Sequence, residues 1–125
     1  MKILLDTHIV LWWLADEVRL PSKTRKLITR PDTYAYVSSA TVWEIAIKKS
    51  LGKLVCPDNL EIVLRDNQFE MLDITWAHAW QAGQLPRYHD DPFDRMLIAQ
   101  ALLEHLTVIT HDTRFSQYEI DCSMV

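Results

Sequence analysis

Glycine is nearly absent from this chain. Its 125 residues contain only Gly52 and Gly83, too far apart to form a glycine-rich phosphate loop or a GxGxxG dinucleotide turn. Cysteine is as scarce. Cys56 and Cys122 build neither a disulfide framework nor a zinc ribbon, and they read as reduced thiols. There is no basic excess. With a formal net charge of -4, any grip on nucleic acid must come from local basic patches or bound metal. A long hydrophobic run is missing too. Residues 3–15 are mostly apolar behind Lys2, but Asp6 and His8 interrupt them. That stretch is too short to cross a bilayer, and no small-residue cleavage site follows it cleanly. The expectation is a cytoplasmic protein without membrane contact.

What is present fits one soluble domain over residues 1–125, with 49% apolar and 24% charged residues. Strand-like and helix-like segments alternate, which predicts an α/β fold with a central, mainly parallel sheet covered on both faces. The predicted strands are 2–5, 34–37, 69–74 and 107–110, with 118–122 as a last, edge strand. Helices are predicted over 8–15, 21–30, 39–51, 57–67, 75–83 and 91–105.

Four acids stand in informative places. Asp6 ends the first strand and Asp112 follows the fourth; in an open parallel sheet both aim at the ligand-binding rim. Asp is also common in turns and at helix caps, so neither position decides alone. Glu44 falls on a helix, about 20° from Leu51 and about 60° from Ile47 around the wheel. The expectation is a buried stripe of Trp43, Ile47 and Leu51 that includes this carboxylate, a costly placement unless it is paired or bound to metal. Asp94 lines up with Leu97, Ile98 and Ala101 on an inner helix face. Asp91 reads as the N-cap before it and Pro92 as the first helical residue. Four converging carboxylates repel by several kcal/mol, and divalent cations relieve that. All-oxygen ligation suits Mg²⁺ or Mn²⁺ and the metal-assisted hydrolysis of phosphodiesters. His8, His78, His89, His105 and His111 have no metal-binding spacing.

The blocks Leu4-Leu5-Asp6-Thr7-His8, Val42-Trp43-Glu44-Ile45, Asp91-Pro92-Phe93-Asp94-Arg95-Met96-Leu97-Ile98-Ala99-Gln100-Ala101 and Thr110-His111-Asp112-Thr113-Arg114-Phe115 together resemble the PIN domain. More narrowly, they resemble the VapC ribonuclease toxins of bacterial type II toxin–antitoxin modules. The resemblance spans nearly the whole chain. It implies a three-layer α/β/α fold and Mg²⁺- or Mn²⁺-dependent RNA cleavage. It also implies that Asp6, Glu44 and Asp94 are the core metal ligands, with Asp112 as the fourth acid. Thr7 and Thr110 occupy places where the family often carries a hydroxyl beside the site. His111 stands where the family usually has Arg, which makes a contact there pH-dependent.

Partners follow from the same resemblance: an RNA substrate, a second toxin copy, and a VapB-like antitoxin whose C-terminal segment covers the acidic site. Trp12 and Trp13 are adjacent and cannot both point inward from one helix, so one of them is expected to line the antitoxin groove. Arg95 is expected to touch substrate or partner. Lys23, Arg25, Lys26 and Arg30, with Lys48, Lys49 and Lys53, are candidates for gripping phosphates or form an ordinary solvated face. Two other readings compete. A non-catalytic module of the same fold has no reason to keep a costly acid cluster. An Asp-based phosphoryl-transfer domain needs a second acid beside Asp6 or a late Lys, yet the chain reads Asp6-Thr7-His8 and its last Lys is Lys53.

Overall fold

A computed structural model describes residues 1–125. In chain order the elements are β1 (Lys2–Leu5), α1 (Thr7–Leu14), α2 (Ser22–Thr29), β2 (Tyr34–Ser38), α3 (Ser39–Ser50), α4 (Leu60–Asp66), β3 (Glu70–Leu72), α5 (Trp76–Gln84), α6 (Pro92–Glu104), β4 (Thr107–Thr110) and β5 (Cys122–Met124). A 3₁₀ turn, Thr113–Gln117, links the last two strands. The five strands form one parallel sheet in the order β3-β2-β1-β4-β5. The chain therefore builds outward from β1 on one side and returns to its other side at β4. The order of strand addition reverses between these two parallel strands, and the crevice beyond their carboxyl ends is the natural binding place.

Strand alternation explains the two cores. Ile3 and Leu5 face one layer with Ile109, Val37 and Ile9; Leu4 and Val108 face the other with Leu97, Ile98 and Phe115. Both faces are covered, so β1 and β4 carry apolar residues toward both layers, and each buried Leu or Ile contributes about 1.5–3 kcal/mol. The result is the expected three-layer α/β/α arrangement. Helix ends follow local chemistry: Asp91 caps α6 ahead of Pro92, and Gly52 takes a φ of 70° just past α3.

Four expectations change. The final strand is Cys122–Met124, not 118–122. The Tyr118 side chain turns instead toward Pro86 and His89, and Ile120 N–H closes a tight turn onto the Tyr118 carbonyl. The chain pairs with β4 only after that turn. The helix expected over 57–67 shrinks to Leu60–Asp66, and the strand expected over 69–74 to Glu70–Leu72. On α3 the buried face is Ala40, Thr41, Glu44 and Ile45. Trp43 and Leu51 are exposed, and Trp43 rests edge-on against Phe93 of α6. Glu44 is thus buried, but not on the stripe that the wheel suggested.

Candidate metal centre

The four acids meet in an open pocket of about 350 Å³ at the β1/β4 crevice. Each arrives by a different local device. Asp6 leaves β1 in extended conformation and caps α1, its Oδ1 accepting the His8 N–H at 3.2 Å. Its other oxygen accepts from the Thr110 hydroxyl on the neighbouring strand, and the Asp6 N–H donates to the Ile109 carbonyl. Asp112 caps the 3₁₀ turn. Asp94 sits in the first turn of α6, where Asp91 Oδ1 takes the N–H groups of Phe93 and Asp94. The partial positive charge of helix N-termini favours acids at these positions. Glu44 comes from the middle of α3 without that help.

At this site the acids outnumber the cations: Asp6, Glu44, Asp91, Asp94 and Asp112 share the pocket with Lys48 and Arg114. Burial, then the charges of Asp6, Asp91, Glu44 and Asp112, push the Asp94 carboxyl up to about 8. Burial also raises Asp6, against the opposing pull of its hydrogen bonds to Thr110 and His8. Burial acts upward on Asp112 as well, but hydrogen bonds and charge from Arg114 win and hold it down at about 2. Lys48 Nζ donates to Glu44 Oε2 at 3.0 Å, while Glu44 Oε1 is buried with no partner. A buried, unpartnered carboxylate oxygen costs at least a lost hydrogen bond. Together with its like-charged carboxylate neighbours, it fits a hard divalent cation.

Other residues named from the sequence divide clearly. Thr7 lines the pocket, its hydroxyl 3.1 Å from that of Thr41. Thr110 joins Asp6 to Asp112 by also accepting the Asp112 N–H. His111 reaches the rim, with Nδ1 on the Val125 carbonyl and its ring against Trp12. Trp12 lines both the acidic pocket and an adjoining apolar groove that includes Leu11, Leu14, Leu54, Val55 and Val63. Trp13 points the other way, packed edge-on against Phe69 with its indole N–H on Asn67.

Arg95 corrects the expectation of a substrate or partner contact. It is buried, and its guanidinium donates to the carbonyls of Ala82, Leu85, Pro86 and His89. Once inside, a cation needs acceptors, and the backbone supplies two to each of its terminal nitrogens. The basic residues of α2 are partly engaged as well: Arg25 binds Asp16 and the carbonyls of Glu17 and Leu20, and Arg30 pairs with Asp32. The cations at the pocket are Lys48 and Arg114. Sequence reading missed Arg114 as the partner of Asp112, although Asp followed two residues later by Arg at a cap is a usable signal. It also set aside His89, which lies buried between Asp94 and Asp112.

The sequence pattern of the PIN domain matches residues 3–121. Ribonuclease VapC22 of Mycobacterium tuberculosis is 27% identical over 119 residues, covering 93% of this chain and 91% of that protein. Among solved structures, VapBC2 from Rickettsia felis bound to a DNA fragment from their promoter superposes with a TM-score of 0.73 at 15% identity, covering 100% of this chain and 99% of that one. DNA-bound VapBC from Salmonella typhimurium gives 0.70 at 21% identity, covering 99% and 98%.

Proposed function

Because the chain belongs to the PIN domain family, we propose that it is a metal-dependent endoribonuclease, the toxin of a VapBC-like toxin–antitoxin module. The 125 residues act as a single domain in the cytoplasm. The observation that carries the reading is the meeting of Asp6, Glu44, Asp94 and Asp112 in one pocket, with Glu44 Oε1 buried and unpartnered. These four are the residues that would hold Mg²⁺ or Mn²⁺. Such a cation supplies water activation and charge stabilisation for phosphodiester hydrolysis.

The chain's own groups do the rest. Thr110 fixes the Asp6 carboxylate from the neighbouring strand, so the acid presents one orientation. Lys48 and Arg114 flank the carboxylates and attract the RNA backbone to a rim that would otherwise repel it. Trp12 and His111 form the wall against which the substrate settles.

The partners are RNA, a second copy of the chain, and a VapB-like antitoxin. The apolar groove beside Trp12 opens at His8 onto the acidic pocket, so one segment laid in it reaches the site. Incubation of purified protein with total RNA and Mg²⁺ or Mn²⁺ tests the activity, with Asp6→Asn, Asp94→Asn and EDTA controls. Metal-dependent cuts that vanish in both variants are expected. A folded, antitoxin-free protein that neither cuts RNA nor binds a divalent cation would leave a non-catalytic binding module.

A further inference from the structure

His89 lies in the segment 85–91 between α5 and α6 and is 2% exposed. Its Nε2 stands 2.9 Å from Asp94 Oδ2 and 3.1 Å from Asp112 Oδ2, and the facing atoms of the three residues lie within 4.8 Å of one another. A histidine beside two carboxylates invites assignment as a third ligand. The other ring nitrogen argues against that. Nδ1 accepts the Asp91 N–H at 3.2 Å, so it carries no proton, and in the neutral ring the proton resides on Nε2. A protonated ring nitrogen has no lone pair to give a cation. It donates a hydrogen bond instead.

We propose that His89 is a positioning residue of the acidic centre: its Nε2–H, donated to Asp112 Oδ2 with Asp94 Oδ2 only 2.9 Å from the same nitrogen, sets the spacing at which these two carboxylates receive the cation. The inference rests on the metal-dependent reading of the pocket. It gives a purpose to contacts that the cluster alone leaves unexplained. The His89 N–H donates to the Tyr118 hydroxyl at 3.0 Å, and that hydroxyl donates to the Pro86 carbonyl. Arg95 donates to the carbonyls of both His89 and Pro86. The ring packs edge-on against Phe115, with centroids 6.0 Å apart. A ring anchored from its backbone, its face and its far nitrogen defines where the carboxylates go rather than following them. Groups that orient metal ligands in this way typically govern affinity by 10- to 100-fold.

The test separates the N–H from the bulk of the ring. His89→Gln returns an amide N–H near the position of Nε2–H, whereas His89→Met fills similar volume without a donor. Mn²⁺ affinity is measured by calorimetry on each variant, and folding of the metal-free proteins by thermal melts. His89→Met is expected to weaken Mn²⁺ binding about 10- to 100-fold, and His89→Gln to restore most of it. Spectra of ¹⁵N-histidine-labelled wild type are expected to show the proton on Nε2 and none on Nδ1. Wild-type Mn²⁺ affinity in a folded His89→Met variant overturns the role of His89 and leaves the metal centre standing. A His89→Gln variant as weak as His89→Met does the same, because the N–H is then not what matters. If His89→Met does not fold, the wild-type spectrum decides, and a proton on Nδ1 overturns the proposal. A wild type that binds no Mn²⁺ overturns the metal centre and this inference together.

Discussion

Two charged side chains stand next to each other at the start of α6 and are housed in opposite ways. Arg95 is buried with its guanidinium spread over the carbonyls of Ala82, Leu85, Pro86 and His89. Asp94 faces Asp6, Glu44 and Asp112, whose charges add to burial in pushing it up, and no hydrogen bond or ion pair from an Arg or Lys offsets them; His89 Nε2 stands 2.9 Å from its Oδ2. One charge is spread over four carbonyl acceptors and the other is frustrated. The paired charge is what a structural role looks like. The frustrated one is kept at a cost to the fold, a cost that a bound cation would remove. The difference teaches that burial of a charge says little about its purpose until its partners are counted.

The largest effect should come from the paired side. Arg95→Leu is expected to lower stability by about 3–5 kcal/mol, because it removes the guanidinium from four carbonyls, leaves the buried contacts at Leu85 and His89 without a donor and loosens the segment that carries His89. Chemical denaturation measures it. Arg95→Lys should rescue little, since one ammonium cannot span the guanidinium's acceptors. A folded Arg95→Leu protein of unchanged stability would break the comparison at its first term.

Asp94→Asn should act in the reverse sense. RNA cleavage is expected to fall at least about a hundredfold, about 2.7 kcal/mol of barrier. The metal-free variant should nevertheless be more stable than wild type near pH 8, because the repulsion is gone. Melts without metal check this. A variant that loses both activity and stability would make Asp94 a structural residue like its neighbour.

The pH dependence follows from the same frustration. Asp94 titrates near 8 when folded and at an ordinary 3.8 when unfolded. Between those values the folded state binds a proton that the unfolded state has released. Its contribution is complete below the unfolded value and disappears as pH rises through 8, at up to about 1.4 kcal/mol per pH unit. Asp6 is shifted in the same direction and adds to the slope. Asp112 runs oppositely: its contribution is present above 3.8 and lost as pH falls through about 2. Metal-free protein should therefore melt higher near pH 5 than near pH 8, and saturating Mn²⁺ should shrink or invert that difference. Melts at both values, with EDTA and with Mn²⁺, read it directly.

The paired and frustrated sides were not equally legible in the sequence. Asp6 and Asp112 declared themselves by ending strands on either side of the point where the order of strand addition reverses. Asp94 declared itself by sharing a helix face with Leu97, Ile98 and Ala101, all of which are buried. Local periodicity and capping carry that kind of information. Glu44 was singled out through the wrong neighbours, because Trp43 is large enough to look like core yet packs on the surface against Phe93. Arg95 and His89 could not be read locally at all. Their partners come from α5, the loop before α6 and Tyr118, and only tertiary closure brings those carbonyls and that hydroxyl to them. The last strand was misplaced for a related reason: Tyr118 looks like a strand residue, but its hydroxyl is committed to the His89 loop.

The smallest expected effect sharpens the comparison from outside. Arg114 is paired, as Arg95 is, but it lies at the surface, where solvent screens its contacts with Asp112. Arg114→Gln should leave the melting temperature nearly unchanged. It should still move the Asp112 titration upward from about 2, because Arg114 supplies the hydrogen bonds and charge that hold it there. A carboxyl-resolved NMR titration of the metal-free protein measures that shift. An unmoved Asp112 would mean that the other groups around it, His89 among them, suffice to keep it ionised. A large stability loss would mean that an exposed pair can be as structural as the buried one, and exposure would no longer separate the two arginines.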